Sequence, residues 1–284
     1  MNRIRAIAAL IMASVAICSI LLLPTAWLAS LAAIVFLWGL WEWMKLSWVE
    51  DTLVRTALLA LNLLLMVLLV WSSANSLVLF QIATLAGVGW WMLALLWLRF
   101  FGFCTDPDQP GSKMLKLTAG TLAVIPAWSA LVLLHSGNKP GSAFPESMHA
   151  HLWLLTAQAM VWATDSGAYF AGRLFGKHKL APRISPNKTV EGLLGGIFTG
   201  LVTAVGFGLL NGVTFVQLPA LLLVAFVAIL ASVIGDLFES LLKRHASVKD
   251  SGSMIPGHGG VLDRIDSTLA ALPVFALGKD IFGF

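Results

Sequence analysis

Between Ser240 and Asp266 the chain gathers side chains that handle phosphate and metal. Lys243 and Arg244 close an apolar segment, and four residues separate them from Lys249 and Asp250. A glycine-rich turn, Ile255-Pro256-Gly257-His258-Gly259-Gly260, then leads to Asp263, Arg264 and Asp266. Lysine and arginine offer charge-assisted donors to phosphate oxygens. Gly257, Gly259 and Gly260 let the backbone approach a ligand closely and present its N–H groups. Asp236, Asp263 and Asp266 are hard oxygen ligands, of which Mg2+ typically takes one or two together with substrate phosphates. Such groups side by side equip a protein for phosphoryl or nucleotidyl transfer, which is mostly positioning and charge neutralisation. His258, between glycines, either donates to a phosphate oxygen or shapes the turn. Basic loops and Gly/Pro turns are common in membrane proteins, but that account leaves the acids unexplained.

Further acids lie upstream, within or beside apolar segments: Asp165, Glu191, Asp236 and Glu239. A carboxylate in hydrocarbon is costly unless it meets a partner or a polar cavity. With Asp263 and Asp266 they make six acids on one side of consecutive spans, which points to catalysis or ion handling. Glu42, flanked by Trp41 and Trp43, is expected to snorkel to the interface or pair with Lys45 and is assigned no catalytic role. Ser185-Pro186 and Thr189 read as the cap of the next helix, with Lys188 facing substrate.

The elements that position these residues are membrane helices. Of 284 residues, 58% are hydrophobic and 11% charged, against about 25% charged in ordinary soluble domains. A bilayer core takes about 20 apolar residues per helix. On that measure spans are expected near 4–23, 26–46, 53–71, 77–101, 115–135, 150–171, 191–211, 217–242 and 266–283. The fold class is therefore an all-α integral membrane protein, a polytopic bundle of about nine helices, since backbone in lipid must satisfy itself. The last span is the weakest: its apolar run is short and gives way at Gly278-Lys279-Asp280, which fits a short or tilted helix or one that ends in the far headgroup layer. The 12 Trp suit the bilayer interface. With a cytoplasmic N-terminus, 16 of the 18 Lys and Arg fall inside, a strong positive-inside pattern. Charge spread over several loops argues against a nucleic-acid partner.

Cys18 and Cys104 form no disulfide framework or zinc spacing. The basic, then apolar, N-terminus reads as a first span and not a cleaved signal, because further spans follow at once. The chain is expected to be a single membrane domain over 1–284, with scaffolding, lipid-facing helices in 1–145 and catalytic helices and loops in 150–284. Gly192, Gly196 and Gly200 form a ridge suited to close helix packing, within the chain or across a homodimer.

The run from Ser240 through Lys243-Arg244, Lys249-Asp250, Gly252, Ile255-Pro256, His258-Gly259-Gly260 and Asp263-Arg264 to Asp266 resembles the signature of the phosphatidate cytidylyltransferase (CDP-diacylglycerol synthase) family, bacterial type. The resemblance extends to Trp162–Lys177, Ser185–Gly192 and Gly235-Asp236, covering roughly residues 150–270. It implies that phosphatidate and CTP give CDP-diacylglycerol and pyrophosphate at the cytoplasmic face of a bacterial inner membrane. It also implies Mg2+, a second cation being left open. With the chemistry above, it makes Asp236 and Asp263 the first metal ligands, then Asp266 and Asp165. Lys188, Lys243, Arg244, Lys249 and Arg264 would hold phosphates, and Ser240, Asp250, Gly257, Gly259 and Gly260 would line the substrate site. A CTP-dependent polyprenol or phytol kinase and an ion-coupled transporter are the competing readings.

Overall fold

The computed structural model of the chain describes residues 3–73, 76–100, 110–137, 148–255 and 259–284. Among these residues it contains nine helices and one two-stranded hairpin: α1 (Arg3–Leu22), α2 (Thr25–Leu46), α3 (Thr52–Ser72), α4 (Val78–Arg99), α5 (Pro110–Ser136), α6 (Met148–Phe175), β1 (Lys179–Ala181), β2 (Ser185–Thr189), α7 (Val190–Leu210), α8 (Leu218–His245) and α9 (Leu262–Phe282). The helices fall on the nine expected spans. By length and composition α2, α3, α4, α5, α7 and α8 can each cross a membrane, and α1 contributes a shorter apolar run, Ala8–Leu22. The protein is an all-α, multi-pass membrane protein.

Two helices fall short of that apolarity, and their surroundings explain why. Helix α9 is central, packed against α2, α4, α5, α6 and α8, with Ser267, Thr268 and Leu269 through Pro273 all buried. A helix wrapped by protein has no lipid to satisfy, so it tolerates polar residues. Helix α6 lies against α1, α5, α7, α8 and α9 and carries Asp165. In contrast, α3 and α4 present Leu61, Leu64, Leu85, Met92 and Leu93 outward, as lipid-facing helices do.

The last expected span is one continuous helix, and its apolar run gives way at Gly278-Lys279-Asp280 while the helix continues to Phe282. Gly278 abuts the Val224 side chain, Lys279 Nζ lies 5.1 Å from the Trp153 ring, and Asp280 accepts a hydrogen bond from Gln81 at 3.0 Å. The tryptophans do not form only an interfacial belt. Trp27 and Trp71 are exposed, but Trp43, Trp90, Trp91, Trp97 and Trp128 are buried. Four of them surround the fully buried Phe238 of α8, with ring centroids 5.3–6.0 Å away.

The glycine ridge packs within the chain. A Cβ on Gly192 would come 2.9 Å from the Ala168 carbonyl, and one on Gly196 2.8 Å from the Thr164 carbonyl. Helices α6 and α7 therefore nearly touch backbone to backbone, and Thr199 Oγ1 donates across to Ala163 O at 2.8 Å. At Gly200 a Cβ would also meet Ile229 Cδ1 of α8 at 2.7 Å, whereas at Gly206 nothing stands within 4 Å. Gly200→Leu is therefore expected to destabilise the protein by about 1–3 kcal/mol through overpacking. Gly206→Ala should keep or raise the melting temperature in detergent, since Ala replaces Gly in a helix interior with a gain of about 1 kcal/mol.

Candidate active site

The polar residues converge at the end of the bundle where α6 and α8 finish and α7 and α9 begin. On α8, Asp236, Glu239, Ser240 and Lys243 follow helical spacing and share one face. Phe238 points the other way, into the tryptophan cluster. That buried aromatic contact fixes the rotation of α8, and so fixes where its charged face looks. Gly235 lets α9 pass close, for a Cβ there would stand 2.5 Å from the Asp266 carbonyl. The close crossing brings Asp266 beside Asp236.

Three carboxylates then act on one another: Asp165 of α6, Asp236 of α8 and Asp266 of α9. Lys188 ion-pairs with Asp236 and exerts its charge on Asp165 and Asp266, while Arg264 acts on Asp165. Ser240 Oγ lies 3.5 Å from the second oxygen of Asp236.

A second group stands one turn further along α8. Lys243 bridges the almost fully buried Glu239 and Asp263 Oδ1, the latter at 2.8 Å. Asp263 Oδ2 accepts hydrogen bonds from Gly260 N at 2.7 Å and Ser251 N at 3.0 Å. Glycine is required at 259, where φ is +81° and a Cβ would stand 2.5 Å from Asp263 Oδ2. Asp263 thus tethers the signature loop to the start of α9. Beyond α8, Lys249 and Asp250 are exposed on that loop. His258 and Gly257, singled out in the sequence, lie outside the described residues.

Lys188 arrives on the β1–β2 hairpin, which α8 holds in place through Arg244 Nε donating to Ile184 O at 3.1 Å. Arg244 therefore has a definite backbone partner in addition to any ligand. Thr189 caps α7, accepting from Gly192 N at 3.1 Å. Ser185 and Pro186 do not cap it: they lie in β2, because the segment between α6 and α7 is long enough to fold back on itself. Glu191 also parts from the other acids. It accepts from the backbone N–H of Lys177 at 3.0 Å and sits 2.6 Å from His178 Nδ1, closing the turn after α6.

The main correction concerns Glu42. It does not snorkel or pair with Lys45; it is 3% exposed and accepts from Ser251 Oγ at 2.9 Å and Leu262 N at 2.8 Å. Lys45 is exposed, 6.0 Å from the Trp41 ring. The signal was in the sequence, an acid inside an apolar span, but proximity to the span end made lipid headgroups look like the partner.

Among the described residues no three acidic, histidine or cysteine side chains gather closely enough to cage a cation alone. Carboxylates on converging helices still fit Mg2+, which commonly keeps only one or two protein ligands and takes the rest from phosphates and water. An apolar groove of about 640 Å3 between α2, α3 and α5, lined by Leu37, Met66, Trp71 and Trp128, carries no titratable side chain and lies apart from this chemistry.

Residues 3–282 match the cytidylyltransferase family. The chain is similar to the phosphatidate cytidylyltransferase of Pseudomonas aeruginosa, 37% identical over 96% of this chain and 94% of that protein. It is also similar to that of Haemophilus influenzae, 33% identical over 96% of both. The Bacillus subtilis phosphatidate cytidylyltransferase is 50% identical over a shorter stretch, 43% of this chain and 45% of that protein.

Loss of the Arg244 anchor should free the hairpin. Arg244→Ala is expected to speed trypsin cleavage after Arg183 and Lys179, read by mass spectrometry of timed digests. Cleavage at the wild-type rate would mean that α8 does not hold the hairpin through this bond.

Proposed function

The chain belongs to the cytidylyltransferase family, and on that premise we propose that it transfers a cytidylyl group from CTP to phosphatidate, giving CDP-diacylglycerol and pyrophosphate. The observation that carries this reading is the convergence of Asp165, Asp236 and Asp266 with Lys188 beside the Lys243–Asp263 pair that tethers the signature loop. Relatives matching nearly the whole chain bear the same activity in their names.

In the reaction a phosphatidate phosphate oxygen attacks the α-phosphorus of CTP, a new P–O bond forms, and the bond to the β-phosphate oxygen breaks to release pyrophosphate. No covalent enzyme intermediate is needed, so the protein's task is to align two anions and offset their charge. Lys188, Lys243, Arg244, Lys249 and Arg264 supply donors for the phosphates. Lys188 and Lys243 now rest on carboxylates, so incoming phosphates compete for cations already held at the site. Asp236 and Asp263 are the first choices to hold Mg2+ and Asp266 and Asp165 the next; when bound, the ion would neutralise phosphate charge and polarise the α-phosphoryl group. Ser240, Asp250, Gly259 and Gly260 line the same region, and His258 and Gly257 complete the signature. The site faces the cytoplasm across a bacterial inner membrane, a reading supported by the 16 of 18 basic residues on that side. A homodimer is compatible with this scheme and uses a face other than the glycine ridge.

Purified protein in detergent, given CTP, Mg2+ and phosphatidate, should place α-phosphate label in lipid and release pyrophosphate. Entry of γ-phosphate label into lipid would instead establish a kinase, and ion flux in liposomes without lipid labelling a transporter. EDTA should abolish turnover and Mg2+ restore it; activity that persists without divalent cation would remove the metal from the scheme. Asp263→Asn should reduce turnover to background in a protein that still inserts, and near-normal activity would take Asp263 out of the metal site. A reporter fused after Gly260 should read cytoplasmic, a periplasmic reading overturning the orientation.

A further inference from the structure

The signature loop is held from two sides, and one of the two clamps comes from a helix with no part in the signature. Helix α9 starts at Leu262, and its preceding residue, Val261, offers no side-chain cap. The first N–H groups of a helix need acceptors, and a carboxylate there is favoured by the helix dipole. Glu42 of α2, 220 positions earlier in the chain, meets that need by accepting from Leu262 N. The same oxygen accepts from Ser251 Oγ at 2.9 Å. Ser251 is therefore gripped twice, its N–H by Asp263 and its hydroxyl by Glu42. The fit leaves no spare room: a Cβ on Gly252 or Gly260 would collide with the Glu42 carboxylate. Glycine at these two positions thus serves the approach of a buried side chain. Ile255 N donates to Gly259 O at 3.0 Å, beside Gly260.

We infer that Glu42 is a positioning residue for cytidylyl transfer, a cap on α9 from across the bundle that sets the Ser251–Gly260 loop and, through it, Asp263. Glu42 is buried, and its carboxylate is engaged by Ser251 and Leu262. It works by holding Ser251 and the start of α9 in place, next to an acid whose two oxygens are already shared between Lys243 and the backbone of Ser251 and Gly260. The inference gives the first half of the chain a defined part in the chemistry beyond scaffolding. Its kinetic consequence rests on the cytidylyltransferase reading, while its structural consequence does not.

The test uses the full-length protein in detergent, comparing wild type with Glu42→Gln, Glu42→Ala, Ser251→Ala and the double variant Glu42→Ala/Ser251→Ala. Hydrogen exchange followed by mass spectrometry should show faster exchange in Ser251–Leu262 for Glu42→Ala, with α3, α4 and α7 unchanged. Activity with CTP and phosphatidate should fall about 10²-fold, the scale on which displaced catalytic groups lose rate. Glu42→Gln, which keeps one acceptor oxygen, should recover part of both signals. The double variant should be no worse than Glu42→Ala alone, because both act through one clamp. Wild-type exchange in the loop, additive losses, or exchange raised equally in every helix would each overturn the proposal. If Glu42→Ala fails to insert, Glu42→Gln and Ser251→Ala carry the test, and both must loosen the same segment. A wild-type protein inactive on CTP and phosphatidate would remove the functional reading, yet the exchange data would still decide whether Glu42 holds the loop.

Discussion

A carboxylate inside a helical bundle must find its counter-charge or its donors within that bundle, because little water reaches it there. The architecture at the site end follows from that constraint. Glu239 is almost fully buried one turn from Lys243, and Lys243 reaches on to Asp263. Asp263 uses its remaining oxygen on Gly260 and Ser251. Removing one member would leave the others uncompensated, so the chain of contacts ties α8, α9 and the loop between them into one unit. Asp236 is met in the same way by Lys188, although that lysine has to come from the hairpin after α6.

Apolar packing decides where those charges point. Phe238 inserts among Trp43, Trp90, Trp91 and Trp97, drawing α2 and α4 onto the back of α8 while its front carries Asp236, Glu239 and Lys243. Trp43 further donates to Lys116 O at 2.8 Å and Trp91 to Leu269 O at 3.1 Å, so indole N–H groups stitch the core they fill. Small residues do the reverse work. Gly235, Gly192 and Gly196 let backbones approach where a methyl group would hold them apart, and those approaches bring α6, α7 and α9 around the carboxylates of α8. Bulky anchors behind and glycine in front together set a polar site within an apolar bundle.

Several features misread from the sequence share one cause. Hydropathy treats each helix as facing lipid, yet α9 faces other helices on nearly every side, which is why it reads as the weakest span. Glu42 sits near a span end and close to Lys45, so the sequence points to the headgroup layer or that lysine, and nothing local reveals that Ser251 and Leu262 come to meet it. Glu191 looked like a member of the acid cluster, but its backbone partners after α6 take it away. Ser185-Pro186 resembled a cap until the hairpin placed it in a strand.

The sequence by itself determined what is local or statistical. Twenty-residue apolar runs are enough for a helix in lipid, so the number of helices among the described residues is legible, and their limits to within about five residues. The spacing from Ser240 to Asp266 carried the chemistry, because phosphate and metal binding require particular side chains close together along the chain. Tertiary structure alone decided partnership. Lys188 with Asp236, Glu42 with Ser251 and Leu262, and Phe238 with its tryptophans lie 48 to 220 positions apart. No periodicity encodes such pairs. They arise when helices of fixed length cross at glycines, turn their aromatic faces inward, and leave each buried charge to whichever donor the crossing brings within reach.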